Sequence, residues 1–194
     1  MNTLPDAAVV IGASVGAIEA LMVLLPALPA SYPLPVFVVV HIPPDKKSAL
    51  ADLFAARCSI AVKEAEDKEP ARGGTVYFAP SDYHLLVEAD HSISLSSDEP
   101  VLYSRPSIDV LFQSAADAYG SRLTGVVLTG GNSDGALGLR AIVNADGKAL
   151  VQSPDTAEGS TMPRAALAKC PEARSLPLLE IAAVLKSLPV TLSP

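Results

Sequence analysis

Three runs of β-branched and apolar residues, Ala8-Val9-Val10-Ile11, Val36-Phe37-Val38-Val39-Val40 and Gly125-Val126-Val127-Leu128, constrain this chain more than any other feature. Runs this short, bounded by Gly and Pro and alternating with helix-period patterns, read as strands buried on both faces, the condition of a parallel sheet covered by helices. The pattern predicts an α/β fold: a doubly wound, mostly parallel sheet with helices on both faces and an antiparallel hairpin, in a Rossmann-like three-layer arrangement. Ligands in such sheets bind beyond the carboxyl ends of the strands. Beyond the three runs stand Ser14, His41 and Asp134. A nucleophile, a base and an orienting carboxylate can therefore meet on one sheet edge.

The 194 residues, 49% of them hydrophobic, suffice for one well-buried domain and are short for two. The net charge of −7 and the absence of any Lys/Arg run argue against a nucleic-acid partner. The longest apolar stretch, Ala17 to Ala30, is interrupted by Glu19, Pro26 and Pro29, so it is too short to span a bilayer. The N-terminus lacks a positively charged signal-type segment, and a cytoplasmic location is expected. Cys58 and Cys170 have no second Cys or His at zinc-like spacing and read as reduced thiols.

After the first strand, Ser14 is placed to cap a helix with Ile18, Leu21, Met22 and Leu25 on one stripe, ended by Pro26 and Pro29. The second strand runs into His41-Ile42-Pro43-Pro44, and a helix is expected near 46–57. Residues 63–72 are charged and turn-like, and Gly73-Gly74 leads into a strand at 75–79. Alternation over 84–88 and 92–96 suggests an antiparallel hairpin inserted into the βα repeat. Arg105-Pro106-Ser107 opens a helix with Ile108, Leu111, Phe112, Ala115 and Tyr119 on one face, closed by Gly120. A helix carrying Leu137, Leu139, Ile142 and Val143, a strand at 148–152 and a helix near 178–186 follow.

Each candidate residue also has a plain reading. Ser14 and Asp134 both occupy positions where an N-cap is expected, and His41 can be a loop-closing histidine held by the prolines after it. His84 and His91, in or beside the hairpin, read as structural. Gly12 and Gly16 flank a strand-to-helix turn that lets backbone N–H groups approach an oxyanion or a phosphate. As a dinucleotide fingerprint, Gly12-Ala13-Ser14-Val15-Gly16 is only a partial match. Serine hydrolysis needs a hydroxyl, an imidazole, an orienting carboxylate and backbone donors for the oxyanion, and all have candidates here. The chain order Ser, His, Asp is not that of the α/β-hydrolases, and the turn is not a G-x-S-x-G elbow.

The ordered blocks resemble one family. Ile11-Gly12-Ala13-Ser14-Val15-Gly16 is similar to the nucleophile motif, and His41-Ile42-Pro43 to the histidine motif, of the catalytic domain of the chemotaxis protein-glutamate methylesterases, the CheB family. Tyr77 to His84, Arg105 to Phe112, Leu128 to Ala136 and Thr161 to Ala166 are similar to further family blocks, so the resemblance runs through most of the chain. It implies a single catalytic domain over 1–194, without the receiver domain that the family typically carries in front: either a stand-alone esterase or a piece of a larger polypeptide.

The resemblance further implies that Ser14 attacks glutamate γ-methyl esters on the cytoplasmic part of methyl-accepting chemotaxis receptors, with His41 as base, Asp134 as its orienter and methanol as leaving group. Glutamine deamidation by the same acyl chemistry, and the absence of any metal or organic cofactor, are implied with it. The backbone N–H groups of Val15 and Gly131 fall at the family's oxyanion positions, where Thr and Met are usual; Val40 replaces a common Gln and Ala17 a common Gly. Two other readings stand beside the esterase. One is a catalytically impaired module of the same fold that docks on receptors or partners, motivated by Val15 and Gly131. The other is a nucleotide-binding domain using the Gly12 to Gly16 turn.

Overall fold

The computed structural model describes residues 5–41 and 49–188. Ile42-Pro43-Pro44 and the start of the helix expected near 46 lie outside the described residues.

Seven parallel strands form the sheet: β1 (Ala8–Ala13), β2 (Val36–Val40), β3 (Ala61–Glu64), β4 (Thr75–Phe78), β7 (Leu123–Val127), β8 (Lys148–Gln152) and β9 (Arg174–Leu176). Their order is β3-β4-β2-β1-β7-β8-β9. A separate antiparallel hairpin joins β5 (His84–Val87) to β6 (Ile93–Ser96). The helices are α1 (Ala17–Leu24), α2 (Leu50–Ala55), α3 (Ile108–Tyr119), α4 (Ala136–Asn144), α5 (Thr161–Lys169) and α6 (Leu178–Lys186). None of the described helices is long and apolar enough to cross a membrane.

Side chains alternate across a strand, so each central strand supplies two cores. Val9, Ile11, Val36 and Val38 pack with Leu21 and Leu24 of α1, Phe54 of α2 and Ile181 and Leu185 of α6. Val10, Phe37 and Val39 face the other way, onto Ile108, Leu111 and Phe112 of α3, Leu139 and Ile142 of α4 and Met162 of α5. The hairpin lies on this second side through Leu85, Val87 and Ile93. This double burial is why β1, β2 and β7 read as continuous apolar runs.

The expected strands at 148–152 and helix at 178–186 form at those bounds, and the stripe on α3 is buried as read. Three features differ. On α1 the buried stripe is Ala17, Ala20, Leu21 and Leu24, with Ile18 exposed. The helix is capped by Gly16 (φ +77°) rather than Ser14, and its buried face is the one that packs on the sheet, with the small Ala17 and Ala20 against the strands. Likewise Leu137 of α4 is exposed, while Ala136, Gly138, Leu139 and Ile142 are buried. The charged stretch after 60 contributes β3, an edge strand with solvent-facing side chains and therefore no apolar run to announce it.

Candidate active site

The winding reverses at β1, whose neighbours are β2 and β7, and the three strand-end residues gather there. Val40 is the register partner of Ala13, so His41 and Ser14 are the next residues on adjacent parallel strands; the His41 N–H donates to the Ala13 carbonyl (3.2 Å). Across the other side of β1, Val127 pairs with Gly12, and the loop after β7 carries Asp134 back toward the switch point.

His41 Nε2 lies 2.8 Å from Asp134 Oδ2. Asp134 is fully buried, and its carboxylate is saturated with donors. Oδ2 also accepts the Ile108 N–H (2.7 Å). Oδ1 accepts the Ser107 hydroxyl (2.9 Å) and the N–H groups of Asp109 (2.9 Å) and Gly135 (3.0 Å). Ile108 and Asp109 open α3, so Asp134 satisfies orphan donors of a helix to which it does not belong and sits in the positive end of that helix dipole. Burial alone would push its pKa up; the hydrogen bond from His41 and those from the Asp109 and Ile108 N–H groups outweigh it and hold the carboxyl below its ordinary range. A charged carboxylate accepting from Nε2 fixes the neutral imidazole with its proton on Nε2 and leaves Nδ1 as the basic nitrogen.

Ser14 is partly buried and caps no helix. Its N–H donates to the Thr129 carbonyl (2.9 Å) and its carbonyl accepts from Ala17 (2.9 Å), while the Thr129 hydroxyl donates to the Val15 carbonyl (2.7 Å). The backbone of the turn is thereby held on both sides of the hydroxyl. Among the described residues no hydrogen bond joins Ser14 to His41, a contact that commonly tightens only with substrate. Among the described residues the N–H groups of Val15 and Gly131 donate to no acceptor. Gly12 admits α3 to the site: a Cβ there would meet Ile108 Cγ2 at 2.3 Å.

The structure thus brings His41 and Asp134 together by a hydrogen bond and Ser14 beside them by register. It separates His91, which stacks on Tyr119 (4.3 Å between centroids) on the α3 side. Ser107 and Asp109 are neighbours of the candidate site that sequence reasoning missed. Ser107 looks like the N-cap of its own helix, and only the tertiary fold turns its hydroxyl onto Asp134. Among the described residues no group of three or more His, Cys, Asp or Glu is arranged to hold a metal ion.

A parallel α/β sheet with serine, histidine and aspartate gathered at its switch point defines the class as a serine-type hydrolase domain. The family model described as CheB methylesterase matches residues 9–185. A Leptospira interrogans protein assigned as a protein-glutamate methylesterase/protein-glutamine glutaminase is 48% identical over 160 residues, 82% of this chain and 83% of that one. A protein-glutamate methylesterase/protein-glutamine glutaminase of Archaeoglobus fulgidus is 40% identical over 165 residues, and here the chain spans only 47% of the relative's length. The crystal structure of the Thermotoga maritima CheB methylesterase catalytic domain superposes with a TM-score of 0.90 at 32% identity, covering 94% of this chain and 98% of that one. The chain belongs to the CheB methylesterase family.

Proposed function

We propose that residues 1–194 act as one catalytic domain that hydrolyses glutamate γ-methyl esters on the cytoplasmic part of methyl-accepting chemotaxis receptors, releasing methanol. The observation that carries the reading is the 2.8 Å bond between His41 Nε2 and Asp134 Oδ2 at a strand end in register with Ser14. Ser14 Oγ attacks the ester carbonyl while His41 Nδ1 takes the hydroxyl proton. Negative charge collects on the former carbonyl oxygen, facing the Val15 and Gly131 N–H groups; one such donor is worth on the order of 10²–10³ in turnover. Asp134 stabilises the imidazolium without itself taking the proton. The tetrahedral intermediate collapses, His41 returns the proton to the methoxide, and methanol leaves. Water, deprotonated by His41, then attacks the acyl-enzyme and frees the glutamate carboxylate and Ser14. A glutamine side chain enters the same cycle with ammonia as leaving group, in keeping with the second activity in the relatives' names.

The test is methanol release from methylated receptor by the purified protein and by Ser14→Ala. Release above background that disappears in the variant supports the reading; full activity in Ser14→Ala, or none in the wild type, refutes it.

A further inference from the structure

The inserted hairpin delivers one side chain to the site that neither the strand ends nor the nucleophile turn accounts for. His84, the first residue of β5, is buried at 2% exposure, and both ring nitrogens are engaged. Nδ1 lies 3.1 Å from the Ser107 N–H and Nε2 lies 3.1 Å from the Glu99 carbonyl. A backbone N–H requires an acceptor and a carbonyl requires a donor, so the ring is the neutral tautomer with its proton on Nε2. Ser107, itself fully buried, passes the constraint on: its hydroxyl donates to Asp134 Oδ1 (2.9 Å), and Asp134 Oδ2 accepts from His41 (2.8 Å). The path from the Glu99 carbonyl to the basic imidazole is thus Glu99, His84, Ser107, Asp134, His41, with each bond between 2.8 and 3.1 Å.

We propose that His84 is a positioning residue for the esterase: its imidazole holds the Ser107 backbone, and through Ser107 it fixes the carboxylate that orients His41. The proposal rests on the catalytic role given above to His41 and Asp134. Ser107 stands immediately before α3, where its N–H has no partner within the helix, so without His84 Nδ1 a buried donor is orphaned beside the carboxylate. Core packing alone does not require an imidazole here. An apolar side chain fills space but accepts no hydrogen bond, and the hairpin is already fastened to α3 by Leu85 and Val87 and by the Val87 N–H to the Ser114 hydroxyl (3.1 Å). Displacing a catalytic group by about 1 Å costs on the order of 10² in rate, so a held Ser107 matters to turnover more than to the fold.

Three variants of the whole protein separate positioning from packing. In His84→Asn the side-chain oxygen stands close to where Nδ1 stood and keeps an acceptor for Ser107. His84→Gln keeps a donor toward Glu99 but no acceptor for Ser107, and His84→Leu keeps neither. The expected result is a 10- to 100-fold fall in kcat for methanol release in the Gln and Leu variants, recovery toward the wild-type value in Asn, and a KM within about twofold throughout. The low-field proton resonance of the His41–Asp134 hydrogen bond should broaden or move in Gln and Leu and keep its wild-type position in Asn. An Asn variant as impaired as Leu, or an unchanged resonance in Leu, overturns the proposal, as does a kcat loss that simply follows thermal stability across the three. Because the resonance is read without substrate, wild-type protein that releases no methanol refutes the esterase reading and still leaves the role of His84 decided by the spectrum.

Discussion

Asp134 and Asp109 cap each other's helices. Asp134, in the loop before α4, accepts the first two N–H groups of α3, from Ile108 (2.7 Å) and Asp109 (2.9 Å). Asp109, in the first turn of α3, accepts the Gly138 N–H in the first turn of α4 (2.6 Å). The two helices pack closely where Gly138 lies against Asp109, so neither N-terminus can shift without unseating the other's cap. The carboxylate hydrogen-bonded to His41 is therefore fixed by the same contacts that fasten two helices to each other. Rigidity of this kind is what the general base of the proposed esterase cycle requires from its support.

Replacing Asp134 with Asn should harm stability and activity together. Five donors converge on its two oxygens, and an amide offers one oxygen and one N–H₂ group. At least one buried donor would then face another donor, at about 1–3 kcal/mol each. The imidazole would also lose the partner that selects its tautomer, which costs on the order of 10⁴ in kcat in the chymotrypsin-type triad. Denaturant titration and single-turnover methanol release check the two effects separately. A variant that loses activity with unchanged stability would mean that the capping role is unimportant.

Asp109 sets a pH dependence of the opposite sign from Asp134. Burial raises its carboxyl pKa from 3.8 to about 6, with the Gly138 N–H opposing and the charge of Asp134 adding to the rise. A carboxyl that binds its proton more tightly when folded stabilises the fold at low pH, and that contribution is lost as pH rises from about 4 through 6. At 1.36 kcal/mol per pK unit, holding Asp109 ionised above pH 6 costs about 3 kcal/mol. Asp109→Asn keeps an oxygen for Gly138 and removes the charge. It should raise the melting temperature at pH 7.5 and give no gain at pH 4, and thermal melts across that range decide it. The depressed pKa of Asp134 acts the other way: its stabilisation is present at neutral pH and fades as acid reaches the carboxyl.

The legible parts of the fold were those where burial on both faces wrote the pattern. β1, β2 and β7 needed only their apolar runs, and α3 announced its stripe, its entry at Ser107 and its stop at Gly120. β3 and β9 did not, because an edge strand exposes the residues that would otherwise be apolar. Helix α5 was silent as well: its buried contacts are few, Met162, Pro163 and Ala166. The positions of Ser14, His41 and Asp134 at one sheet edge were legible because each follows a strand. Ser107, His84 and Asp109 were not, since each reads locally as a cap, a hairpin residue or a surface acid, and their bonds cross 23 to 29 positions of sequence.

The turn between Val101 and Ser104 holds removable strain. Leu102 (φ +48°) and Tyr103 (φ +63°) both occupy the left-handed region, the geometry of a two-residue hairpin turn for which Asn-Gly is preferred. Tyr103 is fully exposed and Leu102 nearly half so, and neither belongs to the buried core. Leu102→Asn together with Tyr103→Gly should stabilise the protein by about 1–2 kcal/mol. For a chain of this size that is a rise in melting temperature of about 2–8 °C. Unchanged or lower stability in the double variant would show that the exposed side chains contribute something the turn geometry does not reveal.

Gly131 is a glycine where neither backbone nor space demands one. Its φ lies outside the left-handed region, and a Cβ would meet only Val15 Cγ2, at an ordinary 3.9 Å. The glycines at 16 and 135, by contrast, carry φ of +77° and +91°. A Gly→Ala change at a compatible position lowers the entropy of the unfolded chain and stabilises by about 0.4–1 kcal/mol. In the esterase reading the same change has a second consequence, because the 131 N–H is one of two oxyanion donors and a donor held in place needs no ordering as charge develops. Gly131→Ala should therefore melt slightly higher than the wild type and match or exceed its kcat for methanol release. A drop in kcat of tenfold or more with the fold intact would place the 131 side-chain position in the path of the substrate, and would assign the open space beside Val15 to the bound ester rather than to an unfilled rim.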